Sequence, residues 1–221
     1  MKNKSHRDPL LKTYYQRYLV DQNSAALIKR VTQRYTVGTL ERLAETAPRV
    51  TRRAAVLALG FVAGYESNAV LGRALTDRDR GVRTLAENGI RALWCRAGND
   101  TQRQQLAIVI RTNAAGQYDE ATVRATELIE EAPWFAEAWN QRAIANFGAK
   151  RFAESIRDCH QALEINPYHF GAAAGMGQCY LQLGNPDSAL ECFRRALRLN
   201  GDLEGVRASV ARLERARREK P

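Results

Sequence analysis

The residue types that carry most catalysis and metal binding stand apart from one another in this sequence. Its three histidines, His6, His160 and His169, have no cysteine or carboxylate at metal-ligand or triad spacing. Four cysteines, Cys95, Cys159, Cys179 and Cys192, form no CxxC pair and read as small buried hydrophobes. The acids Asp119, Glu120, Glu130 and Glu131 read as helix-surface charge. Strand signals are nearly absent, so no strand feeds a glycine-rich phosphate loop. The expectation is a protein without a catalytic residue, metal or cofactor, one that binds rather than reacts.

The elements that would present such a binding surface are helices. The chain has 221 residues, 45% hydrophobic and 26% charged, rich in Ala, Leu, Arg and Glu. The first residues, Met1 to Asp8, are polar and basic with no apolar run behind them, which argues against a secretory signal. No stretch approaches the roughly 18 apolar residues of a membrane span. These features predict a soluble, cytoplasmic protein. The net charge of +10 is uneven: residues 1–100 hold 18 Lys/Arg against 9 Asp/Glu, whereas residues 101–201 hold 10 against 11. The asymmetry suggests two surfaces with different partners.

A 34-residue period runs through the second half. Ala143 recurs as Gly177, Ser155 as Ala189, Cys159 as Phe193, Ala162 as Ala196 and Ile165 as Leu199. One period earlier stands a weaker copy: Val109, Tyr118, Ala121, Ala125, Leu128 and Pro133. Each copy reads as two antiparallel helices whose close approach needs the small residues, because interiors pack near crystal density. Gly116 and Gly184 suit left-handed turns, and Pro133 and Pro167 end the second helices.

Small residues at fixed offsets, a 34-residue period and a closing Pro or Gly resemble the tetratricopeptide repeat over about residues 102–201. Arg142 at a usually apolar position, Lys150 in place of a turn Gly and Pro186 in place of an aromatic depart from it. The resemblance implies an all-α solenoid that acts as a non-enzymatic scaffold, with a segment of another protein lying along its first helices. The groove positions it implies include Arg103, Leu106, Ile110 and Asn113; Glu137, Asn140, Ile144 and Phe147; and Ala174, Gln178, Leu181 and Gln182, with Arg212 from a terminal helix. Members that clamp the C-terminal carboxylate of heat-shock chaperones use Lys and Asn where this chain has Leu106 and Ile110, which argues against that partner. Trp134, Phe135 and Trp139 are expected to pack between repeats.

Residues 1–100 are expected to form a separate helical part and residues 101–221 the three repeats with a terminal helix. Leu10, Leu11, Tyr14, Tyr15, Tyr18 and Leu19 follow Asp8 and Pro9 at helical spacing, either as a cap on the next layer or as an exposed docking face. A 31-residue echo links Leu40, Arg52, Ala55, Ala58 and Leu59 to Leu71, Arg83, Ala86, Gly89 and Ile90. This resembles a pair of HEAT-type repeats. It implies that Asp77 or Asp79 accepts from helix N–H groups and from an arginine of the neighbouring repeat. The alternative is a basic, nucleic-acid-contacting edge centred on Arg73, Arg80 and Arg83. Thr101 is expected to cap the helix after a short linker at Gly98. Leu203, Val206, Val210 and Leu213 mark the terminal helix, with fraying from Arg215 to Lys220.

Overall fold

The computed structural model describes residues 10–219 and is helical, without a strand among them. The expectations for residues 1–8, Asp8, Pro9 and Lys220 lie outside the described residues. Thirteen α-helices follow in order: α1 Leu10–Asp21, α2 Ser24–Thr32, α3 Val37–Thr46, α4 Arg49–Val62, α5 Asn68–Ala74, α6 Arg80–Cys95, α7 Asp100–Ala114, α8 Tyr118–Glu131, α9 Ala136–Gly148, α10 Phe152–Ile165, α11 Phe170–Gln182, α12 Pro186–Leu199 and α13 Glu204–Arg218. One short 3-10 turn, Tyr65–Ser67, precedes α5. No helix among the described residues is long and apolar enough to cross a membrane. The chain divides into two compact units, one up to Leu93 and one from Trp94.

In the first unit α1 packs on α2 and α4, and α3 pairs with α4. The aromatic stripe of α1 is used only in part: Leu11 and Tyr15 are buried and Tyr18 meets Phe61 edge-on, while Leu10 and Leu19 stay exposed. The charged turn before α6 forms a ladder. Arg52 grips Asp77 through two bonds of 2.9 Å, and Arg53 grips Asp79 at 2.6 and 2.8 Å. Asp79 also accepts from the Val82 N–H at the start of α6, and Asp77 from Asp79 N–H. The Arg53 guanidinium holds the Asp79 carboxyl down at about 2. These bonds tie α4 to the start of α6.

The two helices cross at glycine. A Cβ on Gly60 would stand 2.8 Å from Gly89 Cα, and one on Gly89 2.9 Å from Gly60 Cα. The obstacle is backbone and cannot swing aside. Gly60→Ala and Gly89→Ala should each destabilise the first unit by about 2 kcal/mol, because overpacking outweighs a gain in helix propensity of about 1 kcal/mol. Urea melts followed by circular dichroism check this, and a stabilised variant would refute the close crossing.

The second unit stacks helical hairpins: α7 with α8, α9 with α10 and α11 with α12, with α13 against α12. The small residues sit at the crossings. Val109, Ala143, Ala121 and Ala189 are buried, and the buried Ser155 hydroxyl donates to the Ala143 carbonyl at 2.8 Å. A Cβ on Gly177 would fall 2.6 Å from the Phe193 ring. Gly116 and Gly184 take φ of +73° and +72° in the turns. Lys150, in the equivalent turn, adopts φ 63° at a cost of roughly 1 kcal/mol. Pro186 opens α12 behind an Asn185 cap, where a missing N–H costs nothing. The cap of α7 is Asn99, not Thr101; it forms a reciprocal capping box with Gln102. Helix α13 runs through Arg218 without the expected fraying at Arg215, and its basic last turn favours the negative C-terminal end.

Candidate functional site

The first helices of successive hairpins lie side by side, α7 against α9 and α9 against α11. This layer carries the expected groove positions, but its residues divide into two kinds. Some are structural. Leu106 is 1% exposed and packs with Leu128, Ile129 and Phe135. Ile110 is half-buried against the same cluster. Phe147 is half-buried and meets Phe152 edge-on. Arg103 is paired with Asp100 and reaches the Arg96 carbonyl.

The amides expected to meet a ligand are partly spent on one another. Asn113 donates to the Gln141 carbonyl at 2.9 Å and to its side-chain oxygen at 3.1 Å. Asn140 and Gln141 both donate to Glu137 Oε1, at 3.0 and 2.7 Å. Glu137 Oε2 meets His169 Nε2 at 3.0 Å, and His169 Nδ1 accepts from the Ala172 N–H at 3.0 Å, capping α11. The second bond assigns the tautomer: the neutral ring carries its proton on Nε2 and donates it to Glu137. Trp94 stacks on the imidazole at 4.3 Å. Burial opposes the Glu137 charge, but the bonds from His169, Gln141 and Asn140 outweigh it and hold this carboxyl below its ordinary value. The separations Glu137–Asn140, Glu137–Gln141 and Glu137–His169 could have marked this network, since two are helical neighbours and the third is nearly one repeat.

The remaining positions are open. Ile144 is 43% exposed, and Gln182 and Arg212 are exposed. Among the described residues the side-chain amides of Gln178 and Gln182 have no hydrogen-bond partner, and the buried Asn113 Oδ1 is unsatisfied. Phe135 and Trp139 pack within the array, Trp139 donating to the Pro133 carbonyl at 2.8 Å. Trp134 departs from the expectation: it is 51% exposed, lying over Phe135.

Among the described residues no group of three or more His, Cys, Asp or Glu could hold a metal ion. Cys159, Cys179 and Cys192 are buried, and burial pushes each thiol up, away from the reactive thiolate. Cys179 donates to Ser155 Oγ at 3.1 Å. On the first unit, Arg73 pairs with Glu45 at 2.5 Å and Arg83 donates to the Asp77 carbonyl at 3.0 Å, while Arg80 is exposed.

Stacked two-helix hairpins with small residues at every crossing and a row of first helices define the class of helical-repeat proteins. Residues 146–213 match the family model described as "Tetratricopeptide repeat". A TPR repeat-containing protein of Rhizobium etli is 29% identical over 125 residues, 55% of this chain and 59% of that protein. The Hsp70-Hsp90 organizing protein of Triticum aestivum is 25% identical over 103 residues, 47% of this chain and 18% of that protein. The first tetratricopeptide domain of Spaghetti (RPAP3), solved bound to the HSP90 peptide SRMEEVD, superposes with a TM-score of 0.50 at 23% identity, over 52% of this chain and 91% of that chain. Residues 146–213 of the second unit are similar to a tetratricopeptide-repeat array. The chain spans 59% and 18% of the length of these two curated relatives.

The expectation that Leu106 and Ile110 disfavour a chaperone carboxylate clamp gains no support from these relatives, one of which is named an Hsp70-Hsp90 organizing protein. Its physical basis is also weak, because Leu106 lies in the core and Ile110 against it.

Proposed function

We propose that the second unit is a protein-binding module that takes a segment of another protein along the layer formed by α7, α9 and α11. The observation that carries this reading is the set of unengaged groups on that layer. Ile144 of α9 is exposed, and on the neighbouring α11 the side-chain amides of Gln178 and Gln182 have no partner among the described residues. A peptide backbone supplies both donors and acceptors for such amides, while its apolar side chains cover Ile144. A relative named as an Hsp70-Hsp90 organizing protein, and a domain of similar fold solved bound to an HSP90 peptide, support a protein partner. A chaperone tail is therefore one candidate occupant. The first unit, with its ladder between successive hairpins, is read as a HEAT-like helical scaffold. The overall role is that of a non-enzymatic cytoplasmic adaptor.

Ile144→Arg combined with Gln178→Ala tests this directly. Both side chains are surface-accessible and outside the Glu137 network, so the fold should survive, as circular dichroism will show. Specific protein partners recovered from native lysate on the immobilised chain should bind the variant about tenfold more weakly, the equivalent of about 1.4 kcal/mol. Unchanged capture of every partner would move the binding surface elsewhere.

A further inference from the structure

Away from the first-helix layer, a cavity of about 570 Å³ opens among α10, α11 and α12. None of the residues assigned to the peptide groove lines it. Its walls carry His160 of α10, Tyr180 of α11, and Glu191, Arg194, Arg195 and Arg198 of α12, over a floor that includes the buried Cys192 thiol. On α12 the four charged residues fall at i, i+3, i+4 and i+7, so they share one helix face. Arg194 is committed to Glu214 of α13 at 2.6 Å. Arg195 and Arg198 make no ion pair among the described residues, and neither reaches Glu191 within ion-pair distance. The repeat itself does not call for these guanidiniums: one period earlier the same positions are Gln161 and Glu164.

We propose that this cavity is a binding site for a phosphate monoester group. Two unpaired guanidiniums offer planar forks of donors, the geometry that suits oxyanions. His160, the Tyr180 hydroxyl and Ser188 add donors from other directions. That number exceeds what the two oxygens of a carboxylate can use and fits the three terminal oxygens of a phosphate. The concave wall and buried floor raise the local field above that of two arginines on a flat surface. Glu191 is the one carboxylate in the wall. It opposes a bare anion and favours a ligand that brings a hydroxyl, either the P–OH of a phosphate monoanion or an alcohol of the carrier. The cavity is larger than a phosphate ion, leaving room for part of that carrier.

The test is an NMR titration of the full chain at fixed ionic strength, with inorganic phosphate, glycerol 3-phosphate, phenyl phosphate and succinate as separate probes. Saturable shifts at His160, Tyr180 and the α12 amides are expected with the phosphates. Tighter binding of an ester than of inorganic phosphate is expected, and equal affinity for the free anion and the esters would overturn the monoester assignment. Arg195→Gln with Arg198→Gln should weaken binding about tenfold or more, since it removes two charge-assisted contacts. Arg215→Gln with Arg218→Gln removes the same charge elsewhere and should leave affinity unchanged. The proposal is overturned by an absence of saturation up to concentrations on the order of 10 mM. Succinate binding as tightly as the phosphates, or equal weakening by the two double variants, would overturn it as well. Groove variants do not enter the measurement, so its failure is separate from failure of the protein-binding reading.

Discussion

Asp158→Ala should destabilise the second unit by about 3–5 kcal/mol, the cost of leaving a buried charge without its partner. Asp158 is almost fully buried on α10 and binds the Arg142 guanidinium of α9, with Nη2 at 2.7 Å and Nε at 3.1 and 3.2 Å. It also accepts from Asn146 at 2.9 Å. Arg142 is held on its other sides by Thr126 Oγ1 at 3.1 Å and by the Trp139 ring, 4.8 Å from its centroid. Removing the carboxylate therefore strands a guanidinium and an amide together. Arg142→Leu alone strands Asp158 and should cost a similar amount. The double variant Arg142→Leu/Asp158→Leu removes both charges and should be far milder than the sum, with a coupling of about 2 kcal/mol or more. Urea unfolding of the four proteins, with unchanged slopes, measures it. Additive losses would show that the pair is not a unit.

Glu137→Gln is the second large effect, expected at about 2–4 kcal/mol, because the buried carboxylate accepts from three donors. A glutamine has one acceptor oxygen: if it faces His169 Nε2, its amide N–H groups face the donors of Asn140 and Gln141. The pH dependence follows from the depressed carboxyl. Its stabilisation is complete above the ordinary value of 4.5 and is lost as pH falls through the lower value in the folded chain. The gap between wild type and Glu137→Gln should be full near neutrality and narrow in acid below that point. Asp79, held at about 2, titrates in both proteins and cancels in the comparison. A gap that stayed constant into strong acid would mean that Glu137 is not ionised in the fold.

Repetition made the hairpins legible. Val109, Ala143 and Gly177 occupy one offset and Ala121, Ser155 and Ala189 another, and a helix crossing tolerates only small residues at both. The turns were legible for the same kind of reason, since a left-handed backbone selects glycine at Gly116 and Gly184. The aspartates of the charged turn in the first unit were readable as acceptors for helix N–H groups and for arginines. The registers Arg52 to Asp77 and Arg53 to Asp79 came only with the packed helices.

Arg142 shows where sequence stops. Against the repeat pattern it is a misfit, yet in the fold it is half of a buried pair whose partner lies on the following helix. Leu106 shows the same limit from the other side. One residue turns a helix by about 100°, so a small error in register exchanges groove for core. An amide letter does not say whether its bonds go to a neighbour or stay open. Asn140 was claimed by Glu137, while Gln178 was left unpartnered. The sequence by itself determined the helical hairpins, their small-residue crossings and their turns, because those depend on local sterics repeated at a constant period. Only the tertiary structure decided which polar side chains are spent inside and which remain for a ligand, because that choice depends on groups brought together from different helices.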